Sequence, residues 1–96
     1  MRKTKYTVKP TAQFRRDYKR AIRQGRNMEL LEDVVALLAA GESLPPHNHD
    51  HPLTGDWRGH RECHIQPDWL MLYRIKKDVL VLTSVRTGTH SDLLNK

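Results

Sequence analysis

Apolar residues near the start of the chain recur every three or four positions, which is the spacing of one face of an α-helix. The positions on this predicted face are Phe14, Tyr18, Ala21 and Ile22. Thr11 is a suitable N-cap for the helix, and Gly25 is expected to end it. Residues 6–8, "YTV", predict a short strand that Pro10 ends, so the chain is expected to begin with a strand and a helix.

A second apolar stripe is wider and predicts a second helix, which is joined to the first by a tight turn. It comprises Leu30, Leu31, Val34, Val35, Leu37 and Leu38. Asn27 is placed to cap this helix and Gly41 to end it. The next segment, residues 44–56 ("LPPHNHDHPLTGD"), contains three prolines and one glycine, so we expect a loop without regular structure.

The spacing changes to alternation after residue 56, which predicts strands. In residues 57–65 one predicted face carries Trp57, Gly59, Cys63 and Ile65, with Arg61 as an exception. The opposite face carries Arg58, His60, Glu62 and His64. Residues 69–75, "WLMLYRI", are apolar on both faces and suit a central strand.

The segment "VLVLTSVR" predicts a last strand, in which Val79, Val81 and Val85 share one face and Ser84 and Arg86 lie on the other. The predicted order is β-α-α-β-β-β, an α+β fold in which two helices pack on one face of a mainly antiparallel twisted sheet. All 96 residues are expected to form this one domain. The sheet face without helices is predicted to be partly open and to form a substrate floor.

The positive charge of the chain is concentrated near its start. The net charge is +6, but residues 1–26 carry ten Lys or Arg and one Asp, whereas residues 27–96 carry seven Lys or Arg and ten Asp or Glu. A basic segment of this density favours nucleic acid or an acidic protein as partner, although it could also be a solvated surface. The candidate RNA contacts are Lys19, Arg20, Arg23, Arg58, His60 and Arg61.

Neither a disulfide nor a membrane anchor is expected. The single cysteine, Cys63, suits a reducing cytosol and is predicted to be a small buried residue. The basic N-terminus lacks the apolar stretch of a signal peptide, and the longest apolar run, residues 34–40, is too short to span a bilayer. These features predict a cytoplasmic protein.

Five of the six histidines lie within residues 47–64, where they could bind a metal, exchange protons or line a solvated loop. Zinc would accept His and Cys ligands, but the CxxC and HExxH spacings are absent and a proline-rich loop is a poor rigid cage. We therefore predict neither a metal nor another cofactor. His47 and His49 are expected to be solvated, and Trp57, Trp69 and Tyr73 to be core residues.

Acid–base cleavage of RNA is the chemistry that the remaining polar residues suit. Attack of a 2′-hydroxyl on the adjacent phosphate needs a base, an acid and a cation that steadies the added phosphate charge. Imidazoles titrate near neutral pH and Arg binds phosphate through a fixed fork of donors. The candidates are His51, His64 and His90 for proton transfer, Glu62 and Asp68 to orient them, and Arg86 for phosphate.

Five motifs in a fixed order resemble the YafQ-type branch of the RelE toxin superfamily. They are DHPL at 50–53, G-x-W-x-G at 55–59, R-x-x-H at 61–64, PDW at 67–69 and RTGTH at 86–90, and the resemblance covers about residues 5–94. The family's functional histidines fall on His51, His64 and His90, and its PDW aspartate falls on Asp68. Glu62 stands where the family usually has Asp, and Leu94 stands where it has an aromatic residue.

The resemblance implies a RelE-like microbial RNase fold and a metal-independent endoribonuclease. Such toxins cut mRNA in the A site of the 70S ribosome and inhibit translation. It also implies a cognate antitoxin, with an acidic toxin-binding segment and a DNA-binding domain that alone contacts operator DNA. Two alternatives stay open: a toxin on the same scaffold that inhibits DNA gyrase without cutting RNA, and a non-catalytic RNA- or ribosome-binding module.

Overall fold

The computed structural model describes residues 4–87, which form two helices and five strands. The elements are β1 (Thr7–Pro10), α1 (Ala12–Arg23), α2 (Met28–Ala39), β2 (His51–Pro52), β3 (Arg61–Gln66), β4 (Trp69–Lys76) and β5 (Val79–Thr87). Within this part of the chain no helix is both long and apolar enough to cross a membrane. The α+β arrangement expected from the sequence is confirmed, with β2 as an addition.

Both helices begin and end where the sequence predicts. The side chain of Thr11 accepts a hydrogen bond from the backbone N–H of Phe14 at the start of α1, and Asn27 caps α2 in the same way. Gly25 and Gly41 follow the two helices with positive φ angles of 75° and 77°. Such angles strain residues that carry a Cβ, so glycine is suited to end a helix.

The strand order is β1-β5-β4-β3-β2, with β1 parallel to β5 and the other neighbours antiparallel. Both helices pack on one face of this sheet, which confirms the predicted layers. The sheet residues in this core are Cys63, Ile65, Trp69, Met71, Tyr73, Leu80, Leu82 and Val85. Burial of Trp69, Tyr73 and Cys63 was expected, and burial raises the pKa of the Cys63 thiol, which keeps it protonated.

The predicted apolar face of α1 was wrong at one position. Ile22 is 53% exposed, whereas Asp17 is buried and accepts a hydrogen bond of 2.9 Å from the backbone N–H of Val85. This bond is available because β1 ends opposite Leu82, so the rest of the outer edge of β5 has no neighbouring strand. The carboxylate of Asp17 thus accepts a hydrogen bond from an edge N–H that has no strand partner. Because a polar residue occupies this buried position, the apolar stripe of α1 is narrower than predicted.

Three predictions about residues 44–60 were wrong. The proline-rich loop contains strand β2, in which His51 pairs with Glu62. The next strand begins at Arg61, because residues 55–57 form a 3-10 turn and Gly59 has a φ of 91° as the chain reverses from β2 to β3. Trp57 is therefore half-buried rather than part of the core, and Arg58 and His60 lie in the reversal rather than on a strand.

An irregularity in β5 changes which residues share a face. Leu72 pairs with Ser84 and Tyr73 pairs with Leu82, so Thr83 is an extra residue of the kind found in a β-bulge. Val85 consequently shares the helix-covered face with Leu80 and Leu82, and not with Val79 and Val81 as predicted. Ser84 and Arg86 stay on the opposite face, as expected from the sequence.

Candidate active site

The candidate active site begins at the pairing of β2 with β3, where His51 lies opposite Glu62. Nε2 of His51 is 3.1 Å from Oε1 of Glu62, and the Glu62 side chain has no exposed surface. The other ring nitrogen, Nδ1, is 3.1 Å from the carbonyl oxygen of Pro52. The imidazole is thus held at both nitrogens, with 39% of the side chain open to solvent.

These contacts define what His51 and Glu62 can exchange. A carbonyl oxygen only accepts hydrogen bonds, so the contact with Pro52 is a hydrogen bond in the tautomer that has its proton on Nδ1. In that tautomer Nε2 can accept a proton from a carboxyl group, and a protonated ring can donate one to a carboxylate. A partly exposed imidazole at hydrogen-bond distance from a carboxyl group suits proton exchange with a ligand.

His64 follows Glu62 on the same face of β3, and its Nε2 is 4.0 Å from Oε1 of Glu62. Burial lowers the pKa of His64, against the opposing charge of Glu62 and with a further lowering by nearby His49. The strand is fixed beneath the ring, because the buried side chain of Asn48 donates a 2.7 Å hydrogen bond to the backbone oxygen of His64. At neutral pH the His64 ring is therefore suited to accept a proton.

The two loop histidines differ in their surroundings. His47 is exposed, as expected from the sequence. His49 is also exposed, but its ring packs edge-on against the ring of His64, with 5.4 Å between the ring centres. The prediction that His49 is a solvated loop residue is confirmed by its exposure, and its contact with the His64 ring is an addition.

Arg86 belongs to the same face but lies two strands away from His64. Leu70 lies between them, paired with His64 on one side and with Arg86 on the other, which corresponds to about 10 Å between the two outer strands. The guanidinium of Arg86 stacks over the ring of Trp57 at 5.4 Å, and this ring contacts His60 edge-on. This stacking orients the cation.

The sheet face between these groups is not the open floor predicted from the sequence. Leu70, Leu72 and Ser84 have at most 1% of their surface exposed. Leu53 is also buried, and Trp57 contacts Arg86, because the reversal from β2 to β3 folds back over this face. The groups accessible to a ligand are therefore the partly exposed rings at the β2 edge and Arg86.

Two of the predicted catalytic residues, Asp68 and His90, are not in the His51–Glu62–His64 group that the described residues form. Asp68 lies in the β3–β4 turn, where its carboxylate is 67% exposed and 3.7 Å from the guanidinium of Arg26. The neighbouring residue Pro67 provides the backbone hydrogen bond to His64, so Asp68 is one residue beyond the His64 surroundings. His90 and Leu94 lie outside the described residues.

The candidate RNA contacts fall on two surfaces. Lys19, Arg20 and Arg23 are exposed on α1, which agrees with the predicted basic outer face. Arg58 is exposed beside the candidate site, and His60 is half-buried against Trp57. Arg61 is 40% exposed, but its Nε donates a hydrogen bond of 3.2 Å to Asp50.

A metal ion fits one part of this site. The ligand atoms of His51, Glu62 and His64 lie within 4.8 Å of one another. Two imidazoles and a carboxylate are ligands that zinc and copper accept. Metal binding and proton transfer would compete here, because a metal requires the same nitrogen lone pairs that a proton occupies.

Comparison with known proteins agrees with this fold. The family model described as "Bacterial toxin of type II toxin-antitoxin system, YafQ" matches residues 6–95. The "mRNA interferase toxin YafQ" of Escherichia coli K12 is 34% identical over 87 residues, which are 90% of this chain and 92% of that protein.

Solved structures give the same result. The E. coli DinJ–YafQ toxin–antitoxin complex contains a chain that is 30% identical, with a TM-score of 0.83 and coverage of 94% of this chain and 98% of that one. A metal-bound toxin from Helicobacter pylori is 37% identical, with a TM-score of 0.83 and coverage of 93% and 99%.

The fold and the match to this family model define a small α+β toxin of a bacterial type II toxin–antitoxin system. The chain belongs to the YafQ toxin family. Two features near the site escaped the sequence analysis, namely the contact of His49 with His64 and the anchor that Asn48 provides. Both depend on the backbone path of the proline-rich loop, for which the sequence contains no periodic signal.

Proposed function

We propose that this chain is an endoribonuclease toxin that cleaves mRNA and so inhibits translation. The observation that carries the proposal is the His51–Glu62–His64 group, in which a partly exposed imidazole lies 3.1 Å from a buried carboxyl group and near a second imidazole whose pKa is lowered by burial. The similarity to the E. coli mRNA interferase toxin supports the same activity. Acid–base chemistry on RNA needs a proton donor, a proton acceptor and a cation near one phosphate.

The proposed reaction is an internal transfer at phosphorus. A base removes the proton of the 2′-hydroxyl, and the 2′-oxygen forms a bond to the adjacent phosphorus as the bond to the 5′-oxygen breaks. An acid protonates the leaving 5′-oxygen, so the products are a 2′,3′-cyclic phosphate and a 5′-hydroxyl. His51 and His90 are proposed to transfer protons, with Glu62 orienting His51 and Asp68 serving as base or orienting a histidine.

His64 and Arg86 are proposed to hold the phosphate or to stabilise its added charge. A guanidinium suits this role because it stays charged and presents several donors in one plane. Its stacking on Trp57 restrains it, which lowers the entropy lost when phosphate binds. No metal is required in this scheme.

The proposed substrate is translated mRNA in the A site of the 70S ribosome, in the cytoplasm. The exposed cations of α1, Lys19, Arg20 and Arg23, would bind ribosomal RNA. Arg58 and His60 would contact RNA near the site, and Arg61 would contact it from the opposite face of β3. Association should then weaken as salt rises, since phosphate contacts release bound counterions. Replacement of Lys19 and Arg23 by Ala should reduce the slope of log affinity against log salt by about one to two.

We also propose a cognate antitoxin with an acidic toxin-binding segment. The E. coli relative has been solved in complex with DinJ, and the basic surface of α1 would attract a negatively charged segment. The antitoxin, through its own DNA-binding domain, would make the contacts to operator DNA.

The test combines growth arrest with primer extension on a translated message. The wild-type chain should create new RNA ends, and His51→Ala, Asp68→Ala and His90→Ala should each reduce them strongly, whereas His47→Ala should not. Wild-type cleavage by all three variants would overturn the assignment. Growth arrest without new RNA ends would instead favour a gyrase inhibitor or a ribosome binder, which a supercoiling assay would separate.

A further inference from the structure

Asp50 lies immediately before His51 but directs its side chain away from the candidate site. Oδ1 of Asp50 accepts a 2.6 Å hydrogen bond from the hydroxyl of Tyr73 and a 3.2 Å bond from Nε of Arg61. The two donors come from neighbouring strands, since Arg61 pairs with Tyr73 across β3 and β4. One carboxylate oxygen thus connects the segment that carries His51 to two strands of the sheet.

The strand that carries His51 is short, and the contact of His51 with Glu62, the buried side chain of Leu53 and the hydrogen bond from Asn48 to His64 also hold this segment. β2 contains two residues at the edge of the sheet, and Pro52 has no backbone N–H to donate. The next residue, Leu53, contributes one backbone hydrogen bond of 3.0 Å to His60. So short an edge strand is marginal by itself, and a hydrogen bond to a charged group is stronger than a neutral one.

The donors to Asp50 are restrained as well. The Tyr73 side chain is buried, and burial together with Asp50 raises the pKa of its phenol, so the hydroxyl stays a donor at neutral pH. Asp50 itself is 22% exposed, which limits competition from water. The group Asp50–Arg61–Tyr73 therefore forms a fixed anchor at the residue that immediately precedes β2.

We propose that Asp50, held by Tyr73 and Arg61, is a positioning residue that fixes the imidazole of His51 against Glu62. This inference rests on the proposed function, because it acts through His51. Loss of the anchor would let β2 move relative to β3 and lengthen the contact between His51 and Glu62. A displacement of about 1 Å at a reacting group can reduce the rate by up to about 100-fold.

The primary test is Tyr73→Phe, which removes one hydroxyl and little volume. Tyr18→Phe is the matched control, because Tyr18 also donates to a carboxylate, that of Glu32, but on the exposed surface of the helices. On ribosomes programmed with mRNA, Tyr73→Phe should reduce kcat by about 10-fold or more and leave KM unchanged. Asp50→Ala should reduce kcat further than Tyr73→Phe does. Asp50→Asn keeps an acceptor oxygen, so its kcat should be higher than that of Asp50→Ala.

A double-mutant cycle separates positioning from a general loss of stability. In a His51→Ala background, Tyr73→Phe should have no further effect on the residual rate, since its effect passes through His51. The ring-proton resonances of His51 should shift in Tyr73→Phe and stay unchanged in Tyr18→Phe. These spectra can be recorded without a cleavage assay.

Different results would overturn different claims. Wild-type kcat together with unchanged His51 resonances in both Tyr73→Phe and Asp50→Ala would refute the anchor. Equal reductions by Tyr73→Phe in the presence and absence of His51 would also refute it, because the hydroxyl would then act elsewhere. Full activity of His51→Ala would instead refute the catalytic role of His51 through which the anchor acts, whereas growth arrest by the wild-type chain without new RNA ends would refute the proposed function.

Discussion

His51 and Glu62 face each other across the shortest strand pair of the described sheet, with 3.1 Å between Nε2 and Oε1. Glu62 is completely buried, while His51 keeps more than a third of its side chain open to solvent. The pair therefore connects a buried carboxyl group to a ring that a ligand can reach. Its chemistry and that of neighbouring His64 can be tested one residue at a time.

Glu62→Gln should keep the shape of the buried side chain and remove its charge. We expect mRNA cleavage to fall by about 100-fold or more, because the amide cannot share a proton with His51 as a carboxyl group does. The cleavage rate of Glu62→Asp should lie between those of wild type and Glu62→Gln, because the shorter side chain holds the carboxylate farther from the His51 ring. Glu29→Gln, on the exposed surface of α2, is the control, and a similar loss there would contradict a specific role.

The stability of the fold should depend on pH through His64. Its pKa in the folded state lies below the usual 6.5, so between these values the unfolded chain binds more protons. Stability is then complete above about pH 6.5 and is lost as the pH falls through this window. Urea unfolding at several pH values gives the unfolding free energy as a function of pH. Between the folded-state pKa of His64 and 6.5, this free energy should change less steeply with pH in His64→Gln than in wild type. The pH dependence of His47→Gln should match that of wild type.

Transition metals should inhibit the proposed cleavage. Zinc or copper bound to His51, Glu62 and His64 would occupy the nitrogens that exchange protons. A chelator selective for transition metals, with Mg²⁺ maintained to keep the ribosome intact, should leave the rate unchanged. A rate that falls with the chelator and returns with zinc would show that the site works with a metal.

Arg86 should act through both its charge and its stacking. Arg86→Lys keeps the charge but loses the planar donors and the stack on Trp57, so we expect at least a 10-fold loss of cleavage. Trp57→Leu should give a smaller loss with Arg86 still present. Wild-type rates for Arg86→Lys would show that a point charge is sufficient.

The bond from Asp17 to the edge of β5 should be important for folding. Asp17→Ala leaves the backbone N–H of Val85 buried without its acceptor, which should cost about 1–3 kcal/mol of unfolding free energy. Asp33→Ala, at an exposed position of α2, should change it by less than about 0.5 kcal/mol. Urea denaturation measures both, and equal values for the two variants would contradict the role of Asp17.

The sequence alone determined the helices and their caps, the strands after residue 60 and the layer arrangement. These follow from local rules: apolar spacing of 3.6 or 2 residues, Thr11 and Asn27 as N-caps, and glycines that accept positive φ angles. It also indicated His51, Glu62 and His64 as candidates, since their residue types suit proton exchange.

Tertiary structure alone decided which of these residues meet. Strand β2 contains two residues and forms by pairing with β3. Two residues are too few to show an alternating pattern in the sequence, so the pairing of His51 with Glu62 was not predicted. The buried Asp17, the edge-on contact of His49 and the anchor at Asp50 likewise depend on groups far apart along the chain. A local pattern records which face of an element is apolar, but not which unpaired backbone or polar group another element brings to that face.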